Sequence, residues 1–150
     1  MPRLTPDPID PGALLTEFSR DRGDCGAVVS FSGLVRDEGG AVEALELEAY
    51  EGFTEAAIVE FAAEVRARWS LLDLMVVHRV GRIPPGETVV FVAAAAAHRR
   101  EAFQGADQMM DWLKSRAPFW KKSWDRDGAR WIEPAARDYE DAARWDPPAR

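Results

Sequence analysis

The stretch TVVFVAAAAA, residues 88–97, decides the fold. After Thr88 it is apolar throughout, and it follows the turn sequence IPPGE at 83–87. An apolar run bounded by turn residues is typical of a strand that is buried on both faces. The run before the turn, LLDLMVVHRVG at 71–81, is rich in β-branched residues and predicts a neighbouring strand. We therefore expect residues 88–97 to form the central strand of a sheet.

Two long helices flank this pair of strands in the sequence. FTEAAIVEFAAEVRARW at 53–69 repeats apolar residues at helical spacing, and Thr54 is a candidate N-cap. The second helix begins at about His98 and carries its own apolar stripe. It is expected to end at Ala117, because the residue before Pro118 is disfavoured in a helix. Both helices are expected to cover one face of the sheet.

The N-terminal third predicts an extended arm or short edge strand at 1–12, followed by a helix at 13–23. CGAVVSFSGLVR at 25–36 and AVEALELEAY at 41–50 both predict strands, and the DEGG between them is typical of a turn. The second of these strands alternates apolar and acidic residues. The two strands are therefore expected to form a hairpin with one face in water.

Interleaved helices and antiparallel strands indicate an α+β domain with a mixed or antiparallel sheet. At the C-terminal end, GARWIE at 128–133 predicts a short strand, and DYEDAARW at 138–145 predicts a short helix or tail. The segment that follows the helix break at Pro118 is expected to be a loop. With no internal repeat or linker, the 150 residues are expected to form one domain, 1–150, with a tail at 146–150.

The composition excludes several classes of protein. The chain has 26 Asp and Glu against 19 Lys and Arg, a formal net charge of −7, which argues against general binding to nucleic acid or to an anionic membrane. Its apolar runs fall short of the ~20 residues that a membrane helix needs. Cys25 is the single cysteine, so an intrachain disulfide and a cysteine-rich metal site are excluded. We expect a cytoplasmic protein without a metal or other cofactor.

One short segment departs from the acidic character of the chain. LKSRAPFWKKSW at 113–124 contains all three lysines, whereas the other 16 basic residues are arginines. Lys114 lies on the last predicted helical turn, where the helix dipole favours a cation, but Lys121 and Lys122 lie beyond the helix. A desolvated lysine can lose its proton and act as acid, base or nucleophile. The cluster therefore indicates sites that need an amine.

Two further groups of cations are candidates for an anion site. His98 and Arg99 lie where a strand ends and a helix begins, and the free backbone N–H groups at such a point favour phosphate. The alternative is a solvated first helical turn. Arg36 ends the strand at 25–36, which is also an ordinary position for a surface arginine. With the lysines, these residues predict a cationic pocket for a small, phosphorylated anion.

Cys25 and His78 favour structural roles. Cys25 would need a nearby base to become a nucleophile, and a half-buried structural thiol is the simpler interpretation. His78 lies inside the predicted strand at 71–81, where a satisfied or exposed histidine is expected. With one other histidine in the chain, a zinc site has no support.

At FSGLVRDEGG, HRVGRIPPGETVVFVAAAAAHRREAF and MDWLKSRAPFWKK the sequence resembles the large, catalytic subunits of molybdopterin synthase. The resemblance implies an α/β hammerhead fold, which is an α+β core with a smaller β-rich subdomain. It implies a homodimer at the centre of a heterotetramer, in which a small ubiquitin-like sulfur-carrier subunit inserts its C-terminal Gly-Gly tail as a thiocarboxylate. The implied reaction places two sulfurs on cyclic pyranopterin monophosphate and forms the dithiolene of molybdopterin.

The resemblance also implies a role for each matched position. Lys114 would lie closest to the carrier tail, where it would activate the thiocarboxylate or hold an acyl intermediate. Lys121 would be the second catalytic lysine and would bind substrate. Further implied substrate contacts are Lys122, Ser123, Val35, Arg36, His98 and Arg99. His98 and Arg99 would reach the phosphate side of the substrate across the dimer interface.

Two other functions fit the same residues. A non-catalytic module could use the cationic pocket to bind a small phosphorylated ligand or the C-terminus of a partner. A binder of single-stranded nucleic acid could stack bases on Trp120 and Trp124 beside the lysines. The negative net charge argues against this last function.

Overall fold

The computed structural model describes residues 2–148. Its helices are α1 (Pro11–Phe18), α2 (Phe53–Arg68), α3 (Arg99–Ser115) and α4 (Ala136–Ala143). Its strands are β1 (Arg3–Thr5), β2 (Ala27–Leu34), β3 (Ala44–Ala49), β4 (Asp73–Arg79), β5 (Gly81–Ile83), β6 (Thr88–Ala96), β7 (Phe119–Asp125) and β8 (Gly128–Ile132). The α+β class predicted from the sequence is confirmed.

Four strands form the main sheet, in the order β1-β4-β6-β2. β6 lies inside this sheet, as predicted, and pairs antiparallel with β4 on one side and with β2 on the other. β1 pairs parallel with β4 at one edge, so the prediction of a short edge strand near the N-terminus is confirmed. β2 forms the opposite edge.

The apolar run in β6 is buried because helices pack on both faces of the main sheet. Successive side chains of a strand point to opposite faces. Val92 packs with Ile58 of α2 and Met109 of α3, so the two long helices share one face, as predicted. Phe91 points to the other face and packs with Phe18 of α1. The alanines of β6 are also buried, and their small side chains let the helices lie close to the sheet.

A second, smaller sheet contains β5, β3, β7 and β8 in that order, with antiparallel pairing throughout. Val35, Leu47 and Ile83 form its buried core. The other face of β3 carries glutamates, so one face of this sheet is polar. This sheet is the smaller β-rich unit that the resemblance implied.

The predicted hairpin of residues 25–50 is wrong. β2 pairs with β6 in the main sheet, whereas β3 pairs with β5 and β7 in the smaller sheet. The physical reason lies in the faces of the strands. Val28 and Val29 of β2 pack into the cores on opposite faces of the main sheet, whereas β3 has one polar face. The DEGG turn therefore connects two sheets.

Three local predictions also need correction. Helix α1 begins at Pro11, inside the predicted arm, and Asp10 caps it by accepting the N–H of Ala13. Gly52, with φ of 73°, is the N-cap of α2 in place of Thr54. Residues 119–125, which we expected to be a loop, form strand β7.

The C-terminal elements follow the prediction. The short strand at 128–133 is confirmed as β8, and the helix predicted at 138–145 is confirmed as α4, which begins two residues earlier. The predicted tail at 146–150 lies partly outside the described residues. Within residues 2–148, none of the helices combines the length and apolar character that crossing a membrane requires.

Candidate active site

The topology places the predicted cations at two ends of the molecule. Helix α3 follows β6 directly and packs back against the main sheet, so its end lies near the start of β6. An α-helix rises about 1.5 Å per residue, which puts Arg99 and Lys114 about 22 Å apart along the helix axis. One copy of the chain therefore cannot bring His98 and Arg99 to the lysines.

Lys121 lies on the inner face of β7, opposite the buried side chain of Leu47 in β3. Burial and, to a lesser extent, the nearby charge of Lys114 together lower the pKa of its ammonium to about 8. The structure thus brings together the two lysines predicted to be catalytic. At pH 7 roughly a tenth of Lys121 is the neutral amine. An unperturbed lysine would be almost entirely protonated at that pH.

His78 lies beside the two lysines. Its ring lies 4.4 Å from the ring of Phe119, centroid to centroid, and its Nδ1 donates to the carbonyl oxygen of Arg79 at 2.9 Å. Burial lowers the pKa of His78 to about 4, and the charges of Lys121 and Lys114 also lower it. The prediction of a satisfied strand histidine is confirmed. Its position beside the lysines was missed, because the sequence does not show that β4 and β7 approach each other.

Thr54 fixes the start of the strand that carries Lys121. Its hydroxyl is fully buried, accepts the N–H of Tyr50 at 2.8 Å and donates to the carbonyl oxygen of Pro118 at 2.8 Å. The first hydrogen bond joins α2 to the residue just after β3, and the second joins α2 to the residue just before β7. Thr54 thus has a positioning role in place of the predicted N-cap role.

We expect Thr54→Val to lower the free energy of unfolding by about 1–3 kcal/mol, because the change leaves a backbone donor and acceptor without their partner. Urea unfolding of the two proteins measures the difference. Thr16→Val is the matched control, since the exposed Thr16 donates only to Gly12 in its own helix. An equal effect of the two changes would contradict the role of Thr54.

Lys122 and Ser123 lie on different faces of β7. Ser123 shares the face of Lys121, two residues away. Lys122 points to the opposite face, where its Nζ lies 3.3 Å from Glu48 and 4.3 Å from the ring of Trp131. Since side chains alternate along a strand, β7 carries Lys121 and Lys122 on opposite faces, and the implied substrate contact of Lys122 stays a prediction.

Arg36 lies at the same end of the main sheet as the lysines. Strand β2 ends with Leu34 opposite Thr88, the first residue of β6. The exposed guanidinium of Arg36 is 3.3 Å from the carboxylate of Glu38, and a cavity of about 560 Å³ lies beside it. Val35 is buried in the core of the smaller sheet, so it supports the position of Arg36 through packing.

His98 and Arg99 lie at the other end of α3. His98 is the N-cap residue in extended conformation, without a capping hydrogen bond from its side chain, and both residues are exposed. With Arg100 and Gly26 they border a depression of about 450 Å³. This arrangement has the free N–H groups and the cations that a phosphate site needs.

Comparison with known proteins shows the family of the chain. The sequence model of the MoaE protein matches residues 4–116. A molybdopterin synthase catalytic subunit from Caulobacter vibrioides is 59% identical over 143 residues, which are 95% of each chain.

Two solved structures have the same fold. The molybdopterin biosynthesis MoaE protein from Burkholderia ambifaria is 41% identical, covers 97% of each chain and superimposes with a TM-score of 0.82. A molybdopterin synthase from Staphylococcus aureus is 30% identical, covers 86% of this chain and 94% of its own, and has a TM-score of 0.77. The fold, the sequence match and the identity over nearly the whole chain show that it belongs to the MoaE protein family.

Proposed function

We propose that this chain is the catalytic subunit of a molybdopterin synthase in the cytoplasm. It transfers two sulfurs to cyclic pyranopterin monophosphate, one from each of two thiocarboxylated carrier subunits. The observation that carries this proposal is the pair of lysines where α3 ends and β7 begins, since the amine of Lys121 is desolvated beside Lys114. The relatives that share nearly the full length of the chain bear the name of this enzyme.

The two lysines have different roles in the proposed reaction. Lys114 is exposed on the last turn of α3, where the C-terminal tail of a carrier subunit can reach it. Its ammonium would stabilise the oxyanion that forms when water adds to the acyl carbon of the tail; this intermediate then collapses as the carbon–sulfur bond breaks, which leaves the sulfur on the substrate and releases the tail as a carboxylate. Lys121 lies deeper, and with a pKa of about 8 its amine can take up and release a proton near neutral pH.

Arg36 provides the cation for the phosphate of the substrate. Its guanidinium can form a bidentate pair with phosphate, and it lies at the same end of the main sheet as the lysines. Glu38 holds the exposed guanidinium in the described structure, and the phosphate would replace that carboxylate. Ser123 shares the inner face with Lys121 and is available to the substrate, whereas the geometry gives no support to a contact from Lys122.

A second copy of the chain completes the site in this proposal. β2 is an edge strand that exposes Phe31 and Leu34, and α3 exposes Phe103 beside it. Antiparallel pairing of β2 with β2 of a partner, about a twofold axis, would put the start of one strand beside the end of the other. His98 and Arg99 lie near the start of β2, and Arg36 lies at its end. The pairing would thus join both groups of cations.

This arrangement predicts complementation between two defective variants. Lys114→Ala and Arg99→Ala should each lose sulfur transfer as homodimers. In mixed dimers, one of the two sites has both residues intact, so random mixing should restore about a quarter of the wild-type activity. Activity after co-expression measures the recovery, and native mass spectrometry confirms that mixed dimers form. Mixed dimers that stay inactive would contradict the shared site.

The direct test of the proposed function is reconstitution. The purified protein is incubated with the thiocarboxylated carrier subunit and cyclic pyranopterin monophosphate, and mass spectrometry follows both partners. We expect the substrate to gain two sulfurs and the carrier to return to its carboxylate form. A protein that binds the carrier and the substrate but leaves both masses unchanged would be a binding module and not a synthase.

A further inference from the structure

We propose that Asp138, on the first turn of α4, is a positioning residue for the amine of Lys121. The site residues predicted from the sequence include none beyond Ser123, so they assign no role to Asp138. The inference deepens the proposed function, because it assigns a control on one of its two catalytic lysines. It rests first on how the C-terminal elements are placed around β7.

Strand β8 leads the chain from β7 to Asp138. Ile132, the last residue of β8, lies directly opposite Lys121 in β7. Only three residues separate it from α4. The carboxylate of Asp138 accepts the N–H of Ala135 at 3.1 Å, which holds the side chain against the start of the helix. The half-buried carboxylate thus has a fixed place close to the strand that carries Lys121.

Helix α4 is itself fixed to the helix that carries Lys114. The guanidinium of Arg144 lies 2.6 Å from Asp111 and 2.9 Å from Asp107, both on α3. The indole N–H of Trp145 donates to Asp111 at 2.6 Å, and Arg116 pairs with Asp146 at 3.0 Å. The contacts span the last two turns of α3. They therefore hold α4, which carries Asp138, against the helix that carries Lys114.

The charges around Lys121 come from each packed element. Lys114 of α3 and the desolvation of the pocket favour the neutral amine, while Asp138 of α4 favours the ammonium. His78 of β4 is neutral at working pH, because its pKa is lowered to about 4. On the inner face of the flanking strands, Leu47 and Ile132 lie opposite Lys121 and carry no charge. Asp138 is thus the acidic group whose charge partly offsets the lowering of the Lys121 pKa by burial and by Lys114.

Lys121 is therefore partly deprotonated near neutral pH and can both release a proton and take one up. Without the carboxylate, Lys121 would lose its proton at lower pH, so a smaller fraction of it would carry a proton near neutral pH. With it, both forms are present near neutral pH, which suits a group that must take up and release a proton. Asp138 acts through Lys121 in this scheme and needs no contact with the substrate.

Asp138→Asn tests the inference without removing the hydrogen bond that starts α4. The amide oxygen of asparagine can still accept the N–H of Ala135, whereas the charge is lost. The full-length protein is labelled with an amine-specific reagent across a pH series, and peptide mass spectrometry quantifies each site. The chain has three lysines, and fragmentation of the peptide that contains both Lys121 and its neighbour Lys122 assigns the label to one or the other. Asp141→Asn is the matched control, because Asp141 lies on the same helix and pairs with Arg137.

We expect the labelling midpoint of Lys121 to move to lower pH in Asp138→Asn and to stay in place in Asp141→Asn. Asp138→Glu should restore the wild-type midpoint, since it restores the charge. An unchanged midpoint in Asp138→Asn would overturn the inference. Labelling needs neither carrier nor substrate, so a shift without any sulfur transfer in the wild type would leave this inference standing and would count against the proposed function alone.

Discussion

Lys114→Ala is expected to reduce sulfur transfer by about 10²–10³-fold, the range that loss of one group stabilising a developing negative charge costs. The change removes the exposed ammonium on the last turn of α3 without disturbing the buried Leu113 beside it. Binding of the carrier should be largely retained, because a docking surface for a folded subunit is much larger than one side chain. Single-turnover assays with thiocarboxylated carrier measure the rate, and titration calorimetry measures the affinity.

Lys122→Ala is the matched control for this prediction. It removes another of the three lysines, but from the opposite face of β7, where Lys122 pairs with Glu48. We expect near-normal turnover from it. Equal loss in the two variants would show that net charge, rather than the position of Lys114, governs the reaction. A folded Lys114→Ala protein with wild-type turnover would refute the role of Lys114.

Lys114→Ala should also alter Lys121, which provides a second readout. The charge of Lys114 lowers the pKa of Lys121, so its removal should move the labelling midpoint of Lys121 to higher pH. This shift has the opposite sign to the shift expected for Asp138→Asn. A binding module would show both shifts and lose ligand affinity, but it would have no turnover to lose.

The strands and helices with strong periodicity could be predicted from the sequence. β6 is buried along its whole length and leaves an uninterrupted apolar run in the sequence. α2 is buried along one face and leaves apolar residues at helical spacing. The pairing of strands could not be predicted, since alternation in β3 shows which face is wet but not which strand lies beside it. β7 was missed because aromatic and lysine side chains occur on both of its faces, so the segment shows no alternation of apolar and polar residues.

The same limit applies to the candidate site: the residues could be predicted from local patterns, but the contacts between distant segments could not. Lys114, Lys121 and Arg36 were predicted, and the structure puts them at one end of the molecule. The sequence placed His98 at the start of a helix and Lys114 at its end, which implies their separation once the helix length is known. The approach of His78 and Asp138 to Lys121 depends on contacts between β4, β7 and α4. Such long-range contacts have no local signature in the sequence.

Lys121→Met and Lys121→Arg are both expected to lose about 10²–10⁴-fold in sulfur transfer. Methionine removes the amine and fits the half-buried position. Arginine keeps the positive charge but cannot release its proton. The two variants therefore separate two demands on this position. If the site needs only a cation to bind phosphate, arginine should restore most of the activity, and the proton-transfer role of Lys121 would be wrong.

Lys121→Met also gives a test that does not depend on activity. The folded pKa of Lys121 is about 8, below the ordinary value of 10.5, so between these values the unfolded chain binds more protons than the folded chain. The free energy of unfolding contributed by this group must therefore rise as the pH increases from about 8 to about 10.5. We expect urea unfolding to show this rise in the wild type relative to Lys121→Met, with the difference between the proteins constant well below pH 8. A difference that stays constant up to pH 10.5 would mean that Lys121 is fully solvated, and the amine would then have no special reactivity to explain.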